Sequence, residues 1–176
     1  MRAMLLAAAV LVLAGGAGRA DEEKVAPDKL PKAVAEAVKK RFPKGEVTAA
    51  VRETDKDKKT SYEVTVKDGD ATADVTVTEG GGITAIEKLL AAKDLPKAVA
   101  DAVAAKFPKG TVKKAEEVIS VKDGKESTDY FEVVVEVDGK EEEVEVLPTG
   151  KLKEEKKPEK KDEPKKDEKK DEPKGK

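Results

Sequence analysis

Residues 30–47 read LPKAVAEAVKKRFPKGEV, and residues 95–112 read LPKAVADAVAAKFPKGTV. Aligned without a gap, 13 of the 18 positions are identical, which indicates an internal duplication. In both copies the apolar residues recur at the spacing of one helical face, so each stretch predicts an amphipathic helix of about three turns. The Phe-Pro-Lys-Gly segment predicts where each helix ends, because a residue before proline disfavours helical geometry. Asp28 and Asp94, shortly before the two helices, are candidate N-caps.

After each helix, apolar residues alternate with polar residues, which predicts half-buried strands with one wet face. Asp-Gly pairs between several of these segments predict hairpins. In the first copy a short fourth strand at residues 83–86 and a short helix at residues 87–92 follow, whereas in the second copy residues 151–152 are at most a remnant of a fourth strand. The main predicted strands are residues 47–51, 62–66 and 73–77 in the first copy and residues 112–121, 129–137 and 141–147 in the second.

Each copy therefore predicts one amphipathic helix packed on a three- to four-stranded antiparallel sheet, which is an α+β fold. A unit of about 65 residues buries little surface alone. Pairing of the two sheets side by side into one larger sheet is therefore favoured. The predicted organisation is a signal peptide at residues 1–20, a first unit at residues 21–90, a second unit at residues 91–153 and a disordered tail at residues 154–176.

The first 20 residues are typical of a secretory signal peptide, with Arg2 at the start, an apolar run and small residues before Ala20. We predict cleavage after Ala20 and an exported, periplasmic or extracellular mature chain. An uncleaved membrane anchor is the alternative. It is disfavoured because the apolar run of about 12 residues is shorter than the roughly 20 that a span needs.

The sequence contains no Cys, no His and no Trp. These absences remove thiolate and imidazole metal sites, the cysteine nucleophile and the usual general base. We therefore predict no enzymatic activity, no catalytic residues, no metal site and no cofactor. Calcium binding by Asp68, Asp70 and Asp74, or by the acidic run at residues 141–145, is the alternative that oxygen ligands leave open. Solvated acids are the simpler interpretation, because no Asp-x-Asp-x-Asp-Gly loop is present.

Charge separates the body from the tail. Residues 21–150 contain 22 Lys and Arg against 29 Asp and Glu, a net charge of −7, whereas residues 151–176 contain 12 Lys against 9 acids. This pattern lacks the basic clusters of a single sign that nucleic-acid-binding proteins show, so no nucleic-acid partner is predicted. The Lys, Asp, Glu and Pro composition of the tail predicts disorder. The tail is then a solubilising linker or an attachment to anionic envelope material.

The order of Leu-Pro, an Ala/Val helix, Phe-Pro-Lys-Gly, the strand Tyr62-Glu-Val-Thr-Val and Asp-Gly hairpins resembles the exported bacterial PepSY-like family, also described as beta-lactamase-inhibitor-like. The resemblance covers residues 25–153. It implies tandem α+β units, a non-catalytic role outside the cytoplasm and a sheet face that binds another protein. The inhibitor that gives the family its name has cysteines and an aromatic-rich binding face, which this chain lacks, so the fold is carried over and the inhibited target is not.

The strand at residues 129–137 supplies the candidate protein-binding surface. If the helix covers the face of Phe131, the opposite face presents Tyr130 and Val134 among acidic residues, while the corresponding positions of the first copy are Ser61 and Thr65. Strand propensity alone is the structural alternative. The six candidate residues are Tyr130, Glu132, Val134, Glu136, Glu143 and Glu145.

The sequence thus predicts an exported, non-catalytic binding module that is protein-binding or inhibitor-like. The predicted partner is an exported or envelope protein of unknown identity. The alternative is a structural component of the cell envelope that is tethered by the charged C-terminal tail. No transmembrane span is expected after signal cleavage.

Overall fold

The computed structural model describes residues 21–153. The predicted signal peptide and the predicted tail lie outside these described residues. A short 3-10 turn precedes each α-helix, at Pro27–Lys29 and at Ala92–Asp94. The elements are β1 (Asp21–Lys24), α1 (Lys32–Arg41), β2 (Glu46–Thr54), β3 (Thr60–Asp68), β4 (Ala71–Thr78), β5 (Ile83–Leu89), α2 (Lys97–Lys106), β6 (Thr111–Lys122), β7 (Lys125–Val137) and β8 (Lys140–Val146).

One antiparallel sheet of eight strands contains both copies of the repeat, with the strands in chain order from β1 to β8. The predicted α+β class and the joined sheet are confirmed. Strand β5 makes the join, because it pairs with β4 of the first repeat on one side and with β6 of the second repeat on the other. Ile86 of β5 lies opposite both Val75 and Ile119. It is fully buried.

Both helices cover the same face of the sheet. Val34 and Val38 of α1 are buried in the first core cluster, and Val99 and Val103 of α2 occupy the equivalent places in the second. Fully burying a side chain of this size contributes roughly 1.5–3 kcal/mol. Within residues 21–153 no helix is long and apolar enough to cross a membrane.

The helix starts differ from the prediction. Pro31 and Pro96 occupy the N-cap positions, and neither helix has a side-chain cap. Asp28 instead lies inside the preceding 3-10 turn, where its carboxylate is 3.2 Å from the ammonium of Lys29. The predicted capping roles of Asp28 and Asp94 are therefore wrong, because both residues lie within the 3-10 turns, before the N-cap positions of the helices.

Two strand details also differ. The predicted short helix at residues 87–92 is wrong, because β5 continues through Leu89 and pairs with β6 over its whole second half. In β2 a bulge between Val47 and Ala49 adds one residue to the strand. The bulge turns Ala50 into the core and leaves Ala49 exposed, which reverses the predicted alternation.

Strand β1 has no counterpart in the prediction. Its four residues, Asp-Glu-Glu-Lys, carry no apolar alternation, and the strand forms by antiparallel pairing with β2. The following Val25 donates its N–H to the carbonyl of Ala50 at 2.9 Å and packs against the first core cluster. The remnant of a fourth strand in the second repeat is confirmed as an isolated bridge between Val146 and Leu152.

A glycine in each repeat allows a loop to approach its helix closely. Gly81 has φ of +85°, and a Cβ there would lie 2.7 Å from the carbonyl oxygen of Ala33 on α1. Gly150 has φ of +83°, and a Cβ there would lie 2.6 Å from the carbonyl oxygen of Ala98 on α2. Both positions therefore require glycine for its left-handed backbone and for its lack of a side chain.

Candidate protein-binding surface

The face of the sheet opposite the two helices is called the open face here. Alternate residues of a strand point to opposite faces, and the strand residues of the two core clusters, which also contain the buried residues of α1 and α2, lie on the covered face. The 3-10 turns lie on the same side as the helices, because Leu30 and Leu95, which follow them, pack into the two cores. Among residues 21–153 no element therefore covers the open face.

Strand β7 presents its four predicted site residues on this open face. Phe131, Val133 and Val135 are at most 5% exposed and contact the second core. The alternating residues are only partly buried. These are the predicted Tyr130, Glu132, Val134 and Glu136.

The two predicted residues of β8 lie directly beside them. Glu145 is the cross-strand partner of Glu132, and Glu143 is the partner of Val134. The structure therefore brings all six predicted residues together on two neighbouring strands. Glu136 lies at one end of the group, where its carboxylate is 3.0 Å from the ammonium of Lys113.

The carboxylate of Glu132 lies among other acids. Its partner on β6 is Glu116 and its partner on β8 is Glu145. Burial, together with the nearby carboxylates of Glu143 and Glu116, raises the pKa of Glu132 to about 7. A carboxyl group with this pKa is partly protonated near neutral pH, and a nearby cation would stabilise its ionised form.

Acidic residues continue across the open face into the first repeat. Burial is the main cause that raises the pKa of Glu63 on β3 to about 7, and Asp74 and Glu53 add to the effect. Burial and the carboxylate of Glu116 also raise the pKa of Glu87 on β5. The predicted group of six residues is thus one end of a longer acidic row.

Two residues of β6 complete the surface and were missed by sequence reasoning. Val118 is the cross-strand partner of both Tyr130 and Glu87. It is 9% exposed. Glu116 is 5% exposed, and its Oε1 atom forms a salt bridge with the Nζ atom of Lys114 at 2.8 Å. Their alternation within β6 was visible, but their placement beside Tyr130 depends on the register of β6 against β7.

Tyr130 has a cation on its ring. The Nζ atom of Lys153 lies 3.4 Å from the ring centroid, and the same atom is 2.7 Å from Oε2 of Glu145. Burial raises the pKa of the Tyr130 hydroxyl to about 12, and the carboxylates of Glu145 and Glu132 contribute to this increase. Lys153 was not among the predicted site residues.

The three aspartates considered for calcium lie on β3, on β4 and in the turn between them. Asp74 on β4 accepts a hydrogen bond from the hydroxyl of Thr65 at 2.6 Å. Asp68 ends β3, and Asp70 lies in the turn that follows it. Residues 21–153 contain no group of three or more acidic side chains placed to hold a metal ion.

Two shallow grooves lie elsewhere on the described part of the protein. The larger, of about 370 Å³, is lined by Arg41, Phe42 and Leu89 among others, and the smaller, of about 170 Å³, is lined by Leu95 and Phe107 among others. None of the six predicted site residues lines either groove.

The fold and this surface define a class of protein in which two helix-and-sheet repeats share one antiparallel sheet. The chain belongs to the family described as "Putative beta-lactamase-inhibitor-like, PepSY-like", whose model matches residues 19–85 and 83–154. The resemblance inferred from the sequence is therefore confirmed. Among curated proteins, none matches this chain.

Solved structures share the fold. A BLIP-like protein from Bacteroides fragilis has a TM-score of 0.54 and 23% identity, over 71% of this chain and 84% of its own. A DUF2874 family protein from Bacteroides uniformis has a TM-score of 0.56 and 18% identity, over 69% and 85%. A third structure, from Bacteroides eggerthii and described among "putative periplasmic proteins", has a TM-score of 0.56 and 19% identity, over 69% and 84%.

Proposed function

We propose that this protein is an exported, non-catalytic binding module that holds a partner protein on the open face of its second repeat. The observation that carries the proposal is the position of Tyr130 and Val134, two partly buried side chains of β7 that lie among acidic residues on a sheet face that no described helix or strand covers. Tyrosine is enriched at the energetic centres of protein interfaces. Uncharged centres surrounded by polar residues are typical of such surfaces.

The acidic surroundings indicate the chemistry of the partner. Glu132 and Glu63 both have a pKa of about 7, because burial disfavours their charged forms and neighbouring carboxylates add repulsion. A positively charged partner relieves this repulsion and speeds association through electrostatic attraction. We therefore propose a basic protein or a basic segment of a protein as the partner.

The family description supports inhibitor-like binding as one form of this function. The chain has two tyrosines and no tryptophan, and Tyr62 is buried in the first core, so Tyr130 is the tyrosine available to an inhibitory interface. The affinity for a partner would then depend on the acidic residues of the open face and on contacts with Tyr130 and Val134. The proposal consequently extends to binding of a protein and not to a particular inhibited enzyme.

Export is part of the proposal. The predicted signal peptide ends at Ala20, and strand β1 begins at Asp21, so cleavage there would leave every described element intact. A structural neighbour with the same fold is described among "putative periplasmic proteins". We accordingly propose a periplasmic or extracellular location.

The test is capture of partners from the exported protein fraction of a bacterium that carries this chain, with the mature chain as bait. The double variant Tyr130→Ala and Val134→Lys removes the ring and adds a positive charge, so it should abolish capture of a basic partner and leave the circular dichroism spectrum unchanged. The matched control is Ser61→Ala and Thr65→Lys, which alters the equivalent positions of the first repeat and should retain capture. Equal capture by all three proteins would remove the proposed surface.

The alternative is an envelope component that is tethered by residues 154–176, and the Lys-rich composition of that segment favours it. Deleting these residues separates the two functions. The binding module should still capture its partner through residues 21–153, whereas the tethered component should be lost from the envelope fraction. Retention of the truncated protein in the envelope would argue against the tether.

A further inference from the structure

Lys153 occupies a defined place on the open face. Its ammonium lies on the ring of Tyr130 at 3.4 Å and pairs with Glu145 at 2.7 Å. Its backbone N–H donates to the carbonyl of Glu145 at 2.9 Å. The side chain of Lys153 nevertheless remains 38% exposed. An aromatic face and a carboxylate thus hold one ammonium group at the border of the sheet.

The first repeat has no cation site at the position equivalent to that of Lys153. Residues of the two repeats can be matched through two equivalent cross-strand pairs, Val77 with Ile83 in the first repeat and Val146 with Leu152 in the second. The equivalents of Tyr130, Glu145 and Lys153 are then Ser61, Thr76 and Thr84. In the first repeat the hydroxyl of Thr84 donates to the carbonyl of Thr76 at 3.3 Å. Three neighbouring positions, on three adjacent segments, therefore change together from small hydroxyl residues to an aromatic ring, a carboxylate and an ammonium.

These three residue types have a known preference in combination. A cation above a tyrosine ring is attracted by the ring quadrupole, and a carboxylate beside it adds a charge-assisted hydrogen bond. Glu132, the cross-strand partner of Glu145, brings a second carboxylate to the same place. Both lysine and arginine side chains meet these requirements.

The attachment of Lys153 is local. The segment after β8 is held by the bridge of Val146 with Leu152 and by hydrogen bonds of Leu147 with Lys151 and of Lys153 with Glu145. The buried core of the second repeat lies on the other face of the sheet. The Lys153 side chain can therefore leave Tyr130 without disturbing the core.

We infer that Tyr130, Glu145 and Glu132 form a subsite for a lysine or arginine side chain of the partner, and that Lys153 fills this subsite in the free protein. A cationic side chain of the partner displaces Lys153 and takes its place on the ring. This inference rests on the proposed function and specifies which group of the partner the open face recognises.

The probe is a peptide of five lysines that is acetylated at its N-terminus only, so that all five side-chain ammonium groups remain charged. The binding protein is the mature chain. Lys153→Met removes the internal cation, so it should bind the peptide roughly three- to tenfold more tightly than the unmodified chain, since a cation on an aromatic ring is worth about 0.5–1 kcal/mol at exposed sites and more with a carboxylate. Lys151→Met removes the same charge from the same segment without touching Tyr130. It is the matched control and should show no gain. Isothermal titration calorimetry at one fixed ionic strength measures all three affinities.

A spectroscopic readout locates the binding. The chain has two tyrosines and no tryptophan. In a Tyr62→Phe background Tyr130 is the sole fluorophore, and its emission should change on peptide addition. Adding Tyr130→Leu to Lys153→Met should abolish the gain in affinity. If Lys153→Gln were used because Lys153→Met folded poorly, the same gain is expected.

Three outcomes separate this inference from the proposed function. Equal affinities of Lys153→Met and Lys151→Met would overturn the inference, and so would a gain that survives Tyr130→Leu. If the peptide affinities change as expected but the double variant at Tyr130 and Val134 captures the partner as well as the unmodified chain does, the cation subsite is supported and the proposed function is overturned. Partner capture that requires Tyr130 but is unaffected by Lys153→Met would support the function and overturn the displacement.

Discussion

The two repeats are alike on the face that the helices cover and unlike on the open face. Val34 and Val99 occupy equivalent places under α1 and α2, and both are 0% exposed. On the open face Tyr130 and Val134 stand where the first repeat has Ser61 and Thr65. Packing in the core tolerates few changes, whereas an uncovered strand position accepts many residue types. This difference between the two open faces is the reason that the proposed binding surface is placed on the second repeat.

The repeats also differ at their outer border. In the first repeat β5 pairs with β4 and places Ile86 in the core, whereas in the second repeat the described chain has only the bridge of Val146 with Leu152 at the equivalent position. The sequence places Glu155 at the position equivalent to Ile86. A glutamate at a core position would be costly.

The largest effect is expected at the two glycines beside the helices, where the repeats are most alike. Gly81→Ala and Gly150→Ala should each lower the free energy of unfolding by about 2–3 kcal/mol, because each adds a Cβ against a helix carbonyl and strains a left-handed backbone. Chemical denaturation of both variants measures the loss. Gly80→Ala, with open space around its Cβ, is the control and should change little. A large loss at only one of the two glycines would break the equivalence of the repeats.

A smaller effect is expected from Glu63 and Glu132, which occupy equivalent places in the two repeats and both have a pKa of about 7 against an ordinary value of 4.5. The folded state therefore binds protons more tightly than the unfolded state between pH 4.5 and 7. Stability should decrease as the pH rises through this window. The melting temperature of the protein should accordingly be higher at pH 5 than at pH 8.

Two variants sharpen this prediction. Glu63→Gln and Glu132→Gln should each raise the melting temperature at pH 8, have little effect at pH 5 and reduce the slope between the two. Glu141→Gln, at an exposed position of β8, is the control. A pH slope that is unchanged by both variants would show that the pKa values of Glu63 and Glu132 are not raised in the folded protein.

The smallest effect concerns the contact that links the repeats. Arg41 at the end of α1 donates to Glu126 on β7 through two hydrogen bonds of 2.6 and 3.1 Å. Hydrogen bonding to Arg41 lowers the pKa of Glu126. Both side chains are about one-third exposed, so a double-mutant cycle with Arg41→Ala and Glu126→Ala should give a coupling of only about 0.5–1 kcal/mol that weakens with salt.

Lys106 is the equivalent of Arg41 in the second repeat and lies 5.2 Å from the Phe107 ring centroid. Lys106→Ala is therefore the comparison variant and should cost less than Arg41→Ala. A coupling near zero between Arg41 and Glu126 would show that this ion pair does not help to join the repeats, which are also joined by β5 and by Ile119 and Val121 of β6 in the first core.

The strands and the site differ in how far the sequence predicted them. The alternation of Val64 and Val66 with polar residues predicted β3 correctly, because one buried face imposes a period of two. The bulge in β2 was not predictable from alternation, because the position of the added residue is determined by the pairing of β2 with β3. Strand β1 escaped prediction because its four charged residues have no apolar alternation and are held by backbone pairing with β2 and by the ion pair of Glu23 with Arg52.

The sequence by itself determined the duplication, the two amphipathic helices and the placement of Tyr130 and Val134 on the strand face away from the helix, because each depends on local periodicity. Only the tertiary structure decided that β5 joins both repeats, that Glu116 and Val118 stand beside the predicted surface, and that Lys153 lies on Tyr130. These contacts join residues distant in sequence through strand register. Register is fixed by the packing and hydrogen bonding of the whole sheet, which no single segment contains.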